Sequence, residues 1–145
     1  MALNAYLHLK GQKQGEIKGS VTQKGREGTI MVIAANHEIM SPVSTSSGTA
    51  VGKRVHKPLV IVKELDKSSP VLYQAMVNNE LLSAELNFFG ISMNAQETKI
   101  YTVVLSNALI TDIRFSLPNT KDPDTAKLNP FETIELSYQL FNGHG

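Results

Sequence analysis

Residues 54–79 constrain the fold more than any other stretch, because a strand here runs directly into a helix. The strand part, Val55 to Leu65, is rich in β-branched residues and is apolar on both faces in its middle. Such a pattern is typical of a strand that is covered on both sides. Pro58 has no N–H group to donate, so the start of this strand is expected at a sheet edge or a bulge. No other segment predicts a helix convincingly, and strands must therefore build most of the fold.

The predicted helix has a signal at each end. Ser69 is a good N-cap residue, and Pro70 suits the first helical position, where no N–H donor is needed. Asn78 and Asn79 tolerate the left-handed conformation in which many helices end. We therefore predict a helix over about residues 70–78, with Ser69 as its cap.

Most of the remaining sequence alternates between apolar and polar residues in short segments separated by turn residues. Strands are predicted over residues 2–10, 16–21, 29–35, 81–90, 99–117 and 131–141. Because strands usually have about five or six residues, segment 99–117 requires a bend, which we place near Ser106 and Asn107. The pattern predicts a mainly β fold: a single-domain β-barrel or sandwich over residues 1–145, with one flanking α-helix.

Residues 41–53 form a long segment of small and polar residues. Most loops in compact domains have about four to six residues, and longer ones usually have a task or are disordered. This segment is interpreted as a long flexible loop or an extended hairpin.

Composition excludes several classes of protein. A net charge of +1 gives no case for binding nucleic acid or a membrane surface. Cysteine is absent, which excludes disulfides, thiolate metal sites and a cysteine nucleophile. The N-terminus lacks a basic region followed by a sustained apolar run, and no segment is long and apolar enough to span a bilayer. We therefore expect a cytoplasmic protein without a cleavable signal peptide.

No set of residues predicts catalysis, metal binding or a cofactor. The four histidines lack the spacing of metal ligands: His8, His37, His56 and His144. No nucleophile elbow or phosphate-binding loop occurs. Glu64 and Asp66 could pair as carboxylates, but Asp66 stands just before the helix, where an acid interacts favourably with the helix dipole. We predict no enzymatic activity, no catalytic or metal-binding residue and no cofactor.

The two halves of the chain differ in charge. Residues 1–79 hold ten Lys or Arg and five Asp or Glu, whereas residues 80–145 hold four and eight. One interpretation is a subunit with a basic and an acidic face, which suits head-to-tail contacts. The other is that strands of the two halves interleave, so that the asymmetry disappears on folding.

Segments along nearly the whole chain resemble one protein family, in the same order. The central segment is KPLVIVKELDKSSPVLYQAM; YLHLKG and EIKGSVTQKGREGTIMVIAANHEI precede it, and AELNFFGI, KIYTVVLSNALITDIRF and FETIELSYQLF follow it. On these segments the chain resembles the haemolysin-coregulated proteins (Hcp), the tube subunits of bacterial type VI secretion. Their joint occurrence in order makes the resemblance specific.

The resemblance implies a β-barrel that functions by assembly. Proteins of this family form hexameric rings, which stack into a tube inside a contractile sheath, carry a spike protein and transport some effectors. The implied partners are copies of the same chain, the sheath, the spike and effectors. The implied location is the cytoplasm before contraction and the outside of the cell afterwards. Two alternatives remain: a phage-type tail tube subunit, and a β-barrel module that binds a small ligand.

The resemblance also implies a role for the long loop. In Hcp-like proteins the corresponding segment reaches out of the barrel towards adjacent subunits or rings. We predict that the following residues lie at a subunit or ring interface: Val43, Ser44, Thr45, Ser46, Ser47, Thr49, Val51, Lys53 and Arg54.

Overall fold

The structure is a computed structural model that describes residues 3–49, 52 and 54–145. Within these residues it contains eleven strands and one helix. In chain order they are β1 (Ala5–Gly11), β2 (Gly15–Ile17), β3 (Ile30–Val32), β4 (Ala34–Asn36), β5 (Ile39–Met40), β6 (Val55–His56), β7 (Leu59–Glu64), α1 (Ser69–Val77), β8 (Leu82–Ile91), β9 (Glu97–Ser116), β10 (Phe131–Ser137) and β11 (Leu140–His144).

Nine strands form one antiparallel sheet that closes on itself. The order is β2-β1-β8-β9-β10-β7-β4, with β3 beside β1 and β11 beside β9. Residues 30–36 close the circuit, because β3 pairs with β1 and β4 pairs with β7. The mainly β fold with one helix is confirmed; that a single domain spans residues 1–145 stays a prediction.

The barrel interior is filled by alternate residues of each strand, because successive side chains in a strand point to opposite faces. In β1, for example, Leu7 and Leu9 are almost fully buried, and Leu7 pairs with the buried Leu86 of β8. Across the barrel, Ile61 of β7 pairs with Ile134 of β10, and both are buried. One face of the central strand is buried, whereas Val60 and Val62 on the other face are only partly buried, so the predicted cover on both sides is complete on one face alone.

Three predicted strands are broken where their pairing partners change. Segment 29–35 divides at Ile33 into β3 and β4, and segment 131–141 divides into β10 and β11. The central strand divides at Lys57-Pro58 into β6 and β7, which agrees with the irregularity predicted at Pro58.

Strand β9 bends as predicted. Asn107 has a positive φ of 51°, and the pairing with β8 shifts there: Leu82 faces Ala108, whereas Ala84 faces Leu105. Before the bend β9 pairs with β8 and β11; after it Ala108 still pairs with β8, and residues 109–116 pair with β10. The bend therefore lets one strand serve two parts of the barrel wall.

Helix α1 packs on the barrel through Leu72 and Ala75, which are buried, while Val77 is exposed. It ends as predicted: Asn78 is the C-cap, and Asn79 adopts the left-handed conformation with φ of 50°. No helix in the described part of the chain has the length and apolar character needed to cross a membrane.

The start of α1 corrects the predicted cap. The helix begins at Ser69, Pro70 lies in its first turn, and Ser68 occupies the cap position without a side-chain capping bond. The Ser69 hydroxyl instead donates to Glu132 Oε1 at 2.7 Å and accepts from Lys63 Nζ at 3.2 Å. Hydrogen bonds to charged groups are stronger than hydrogen bonds between neutral groups. This difference explains why the Ser69 hydroxyl binds the buried charged side chains and does not cap the helix.

Glu80, just after the helix, ties α1 to the turn between β1 and β2. Its Oε2 accepts from the backbone N–H groups of Lys13 and Gln14 at 3.0 and 2.8 Å, and its Oε1 accepts from Gln14 Nε2 at 3.0 Å. The backbone bond from Gln14 is the largest cause that lowers the pKa of the Glu80 carboxyl. Gly11 leaves the space for this carboxylate, since a Cβ there would lie 2.0 Å from Glu80 Oε2.

Candidate assembly surfaces

The described residues of segment 37–57 form an arm that is separate from the barrel sheet. Its strands β5 and β6 pair only with each other in the described part of the chain, through Ile39 with His56 and Met40 with Val55. Three apolar arm side chains, Ile39, Met40 and Val43, are 42%, 44% and 53% exposed. Exposed apolar side chains of this kind favour contact with another protein surface.

The predicted interface residues lie at and around the loop end of this arm. Ser44 and Thr49 are joined by a backbone hydrogen bond of 2.8 Å, so the loop end is a closed hairpin turn. Seven of the predicted residues are described: Val43, Ser44, Thr45, Ser46, Ser47, Thr49 and Arg54. Val51 and Lys53 lie outside the described residues. That these nine residues form an interface stays a prediction.

Four ring side chains join the base of the arm to the barrel, and we call them the arm joint: His37, His56, Tyr138 and Phe141. His37 Nε2 lies 2.5 Å from the Tyr138 hydroxyl, and the His37 ring stacks on Phe141 with centroids 4.5 Å apart. His56 meets Tyr138 edge to face at 5.9 Å. The arm supplies both histidines, while Tyr138 and Phe141 come from the end of the barrel wall, so the joint spans the two parts.

The environment of the joint favours the uncharged forms of His37 and Tyr138. Burial lowers the pKa of His37, and the neighbouring His56 lowers it further. Burial also raises the pKa of the Tyr138 hydroxyl. The sequence pattern argues against these histidines as metal ligands and predicts no other role for them; their positions on either side of the long loop were the signal for a joint.

An apolar groove of about 420 Å³ lies beside the joint, between β4 and β7 on one side and β8, β9 and β11 on the other. It is lined by Ala35, Asn36, His37, Leu59, Phe88, Ile100, Tyr101, Val103 and Phe141. Ile100 and Tyr101 are 57% and 41% exposed. The groove and the arm thus form adjacent parts of one surface.

A second apolar surface lies at the tip of the β8–β9 hairpin. Ile91 and Met93 are 59% and 105% exposed there, and Ala95 has a positive φ of 59° in the turn. The turn is closed by a hydrogen bond of 2.7 Å from Ser92 N–H to Gln96 O. The hairpin therefore presents apolar side chains on an ordered turn.

Arg26 holds this hairpin against the loop between β2 and β3. Its guanidinium lies 4.0 Å from the ring centre of Phe89 and 4.7 Å from that of Tyr6. Arg26 Nη1 also lies 2.6 Å from Glu97 Oε1. A cation over aromatic rings and beside a carboxylate is a favourable arrangement, and it fixes the base of the exposed tip.

A buried ionic cluster lies at the contact of β7, β10 and α1. Lys63 Nζ lies 2.8 Å from Glu132 Oε1 and 3.1 Å from Asp66 Oδ1, and Lys63 and Glu132 are fully buried. Asp66 Oδ1 also accepts the Ser68 N–H at 2.9 Å, so this acid does stand at the helix start. Lys63 and Glu132 lie inside the protein while Asp66 is partly exposed, and the cluster joins the three elements.

Comparison with known proteins agrees with this architecture. A family model described as "Type VI secretion system effector, Hcp" matches residues 6–142. The "Major exported protein" of Pseudomonas aeruginosa is 36% identical over 149 residues, covering 96% of this chain and 87% of that protein.

Solved structures give the same result. The crystal structure of an Hcp protein superposes with a TM-score of 0.86 at 28% identity, covering 95% of this chain and 88% of that one. A variant of the Hcp1 protein from the E. coli EAEC 042 pathovar superposes with a TM-score of 0.81 at 29% identity, covering 99% and 98%.

Proposed function

Because this chain belongs to the Hcp family and is a tube subunit of a type VI secretion system, we propose that it acts by forming hexameric rings that stack into a tube. The Hcp family is structural and is not a family of enzymes. We accordingly propose that this chain has no catalytic activity and needs no cofactor. Of the alternatives open from the sequence, the family match favours the secretion tube over a phage tail tube or a small-ligand module.

The arm is the observation that supports assembly most directly. Ordering residues of a long hairpin costs conformational entropy on the order of 1 kcal/mol for each backbone residue. The arm has its own short sheet, but in the described residues it forms no strand pairing with the barrel and leaves Ile39, Met40 and Val43 exposed. Contacts with a neighbouring subunit would bury these side chains and offset that cost.

The partners follow from the proposed assembly. Copies of the same chain come first, joined through the arm and the two apolar surfaces. A sheath, a spike protein and transported effectors are the further partners that family membership suggests. The name of the Pseudomonas aeruginosa relative, "Major exported protein", supports export of this chain as well. We propose a cytoplasmic pool that leaves the cell when the sheath contracts.

The mass of the purified protein in solution tests this proposal. Size-exclusion chromatography with light scattering should give six times the chain mass of 15.9 kDa, and negative-stain microscopy should show rings with a central channel. A protein that remains a monomer at every concentration tested would contradict the proposal.

A further inference from the structure

The direction of the arm relative to the barrel depends on few contacts. Strands β5 and β6 pair with each other, and β6 is separated from β7 by Lys57-Pro58. Near this junction, the side chains that pack across from arm to barrel are the rings of the arm joint. Any change that loosens these ring contacts therefore frees the arm while the barrel remains closed.

We propose that the arm joint fixes the direction of the arm when His37 is neutral, and releases the arm in acid when His37 is protonated. The geometry carries this inference. His37 and His56 contact the same tyrosine, Tyr138, so a proton on His37 places a positive charge next to a second histidine. His37 is also partly buried against Phe141, where a charge is less well hydrated than in water.

The charged groups around the joint do not cancel a new positive charge on His37. On the arm, Glu38 is already paired with Lys57 at 3.2 Å. On β10, Glu135 lies in the same surface groove as His37, Glu38 and Lys57. A hydrogen bond with Asp112 raises the pKa of Glu135, so this carboxyl becomes neutral at a higher pH than an ordinary glutamate. Arg114 lies beside Asp112 at 3.3 Å and adds a further positive charge on β9.

Two further titratable groups on the barrel lie near these rings. Tyr101 lines the apolar groove together with His37 and Phe141. His144 lies beyond Tyr101, in the adjoining groove on β11. Neither side chain is a carboxylate that could pair with a cation at the joint.

The direction of the pH effect follows from the lowered pKa of His37. An open joint leaves this ring in water, where its pKa returns to about 6.5, so the open form binds a proton more strongly than the closed form. The closed joint is fully stable above that pH. It loses stability as the pH falls below about 6.5 and towards the lowered pKa of the closed form.

Distance measurements between spin labels test the proposal directly. The chain has no cysteine, so Ser46→Cys on the arm and Ser83→Cys on β8 provide two unique labelling sites. Labelled chains are mixed with a tenfold excess of unlabelled chains, so that distances within one subunit dominate. At pH 8 we expect a narrow distance distribution, and at pH 5 a distribution at least twice as wide. Far-UV circular dichroism at each pH reports whether the barrel remains folded.

Two variants distinguish an effect of His37 protonation from a general loosening of the arm joint. In the double variant H37Q/H56Q both histidine rings are removed, including His37, which gains the charge, and the width of the distance distribution should be the same at pH 8 and pH 5. In Tyr138→Phe the hydroxyl contact with His37 is lost, and the distribution should already be wider at pH 8.

Three results would overturn the proposal. They are an equally narrow distribution at both pH values, a widening that H37Q/H56Q shares, and a widening that begins only where circular dichroism shows unfolding. The joint itself does not rest on the proposed ring assembly, because the distances lie within one subunit. A monomeric protein with a pH-dependent arm would contradict only the proposed function. A hexamer whose arm stays rigid at both pH values would contradict only this inference.

Discussion

At the scale of single residues, the buried cluster of Lys63, Asp66, Ser69 and Glu132 has the most consequence for stability. A buried ion pair contributes little net stability compared with apolar residues of the same size, but removing one partner leaves the other charge uncompensated. Among the described residues, Glu132 Oε2 has no hydrogen-bond partner within the protein, so this carboxylate depends heavily on the bonds of Oε1. The cluster therefore fixes how α1 sits on β7 and β10.

Lys63→Met should lower the free energy of unfolding by about 3–5 kcal/mol, because Glu132 is left without its cation. The matched control is Lys57→Met, which removes an ion pair with Glu38 whose side chains are 47% and 57% exposed. Exposed pairs contribute roughly 0–1 kcal/mol. Urea denaturation of both variants measures the difference, and equal losses would contradict the role given to the buried cluster.

Glu80→Gln should change how stability depends on pH. The folded protein lowers the pKa of Glu80 below its ordinary value of 4.5, so ionised Glu80 stabilises the fold above that pH, and the stabilisation is lost as the pH falls below it. The variant should melt at a lower temperature than the natural protein at pH 7, and the gap should narrow by pH 3. A gap of constant size in thermal melts across this range would show that the carboxylate charge is not the cause.

The sequence could reveal part of the buried cluster but not its pairing. Lys63 is in phase with Leu59 and Ile61, and Glu132 is in phase with Ile134 and Leu136, so both charges fall on inward faces. Because the two residues are far apart in sequence, only the pairing of β7 with β10 shows that they meet. Ser69 is predicted as a cap because its local sequence suits one. Its hydrogen bond to Glu132, which is far away in the sequence, cannot be predicted from that local sequence.

At the scale of whole elements, the bend in β9 was predictable from strand length and from Asn107, a residue that tolerates positive φ. The division of segment 29–35 was not predictable. Its sequence has the pattern of one continuous strand, although β3 pairs with β1 and β4 pairs with β7. The arm was expected as a loop or an extended hairpin, and the hairpin is what forms. The arm joint was not predictable, because Tyr138 and Phe141 are far from the arm in the sequence.

Asn107→Val should destabilise the protein by about 1–2 kcal/mol, because a β-branched residue is strained at the positive φ of this position. Asn107→Gly loses the same side-chain bond to Gln139 but fits the conformation, and it should unfold at a higher denaturant concentration than the valine variant. Ser106→Val at the neighbouring strand position serves as the control for adding valine. Equal stability of the two Asn107 variants would show that the bend carries no backbone strain.

Replacing residues 43–51 with a short Gly-Ser turn should leave the barrel folded and reduce assembly. The replacement removes most of the predicted interface and spares the barrel strands. Circular dichroism should be unchanged, while light scattering should show a lower mass or shorter tubes. Full-length tubes from this variant would mean that the arm is passive, and loss of the fold would mean that the arm is part of the folding core.

At the scale of the whole molecule, the charge difference between the two halves maps onto two separate arcs of the barrel wall. In the sheet order, β8, β9 and β10 of the second half are neighbours, and β7, β4, β3, β1 and β2 of the first half complete the circuit. Two ion pairs, Arg26 with Glu97 and Lys63 with Glu132, join the halves. The topology therefore favours a subunit with a basic and an acidic region over interleaving.

Ring stacking should consequently weaken as salt is raised. Exposed charges are screened over about 10 Å at 0.1 M salt, so contacts between regions of opposite charge lose strength in high salt. We expect shorter tubes at about 0.5 M than at about 0.05 M sodium chloride, as measured by sedimentation and microscopy. Tubes of equal length at both concentrations would show that charged faces do not meet between rings.

The pairing of β1 with β8 also determines when a newly made chain is ready to assemble. Leu7 pairs with Leu86, and at about 5–20 residues per second the ribosome needs roughly 4–16 s to make the chain between them. During that time β1 has only its nearby partners β2 and β3. The side chains of Tyr138 and Phe141, which hold the arm, come later still, since both residues follow β8 and β9 in the sequence. A chain that has not yet reached β10 thus has neither a closed barrel nor an oriented arm.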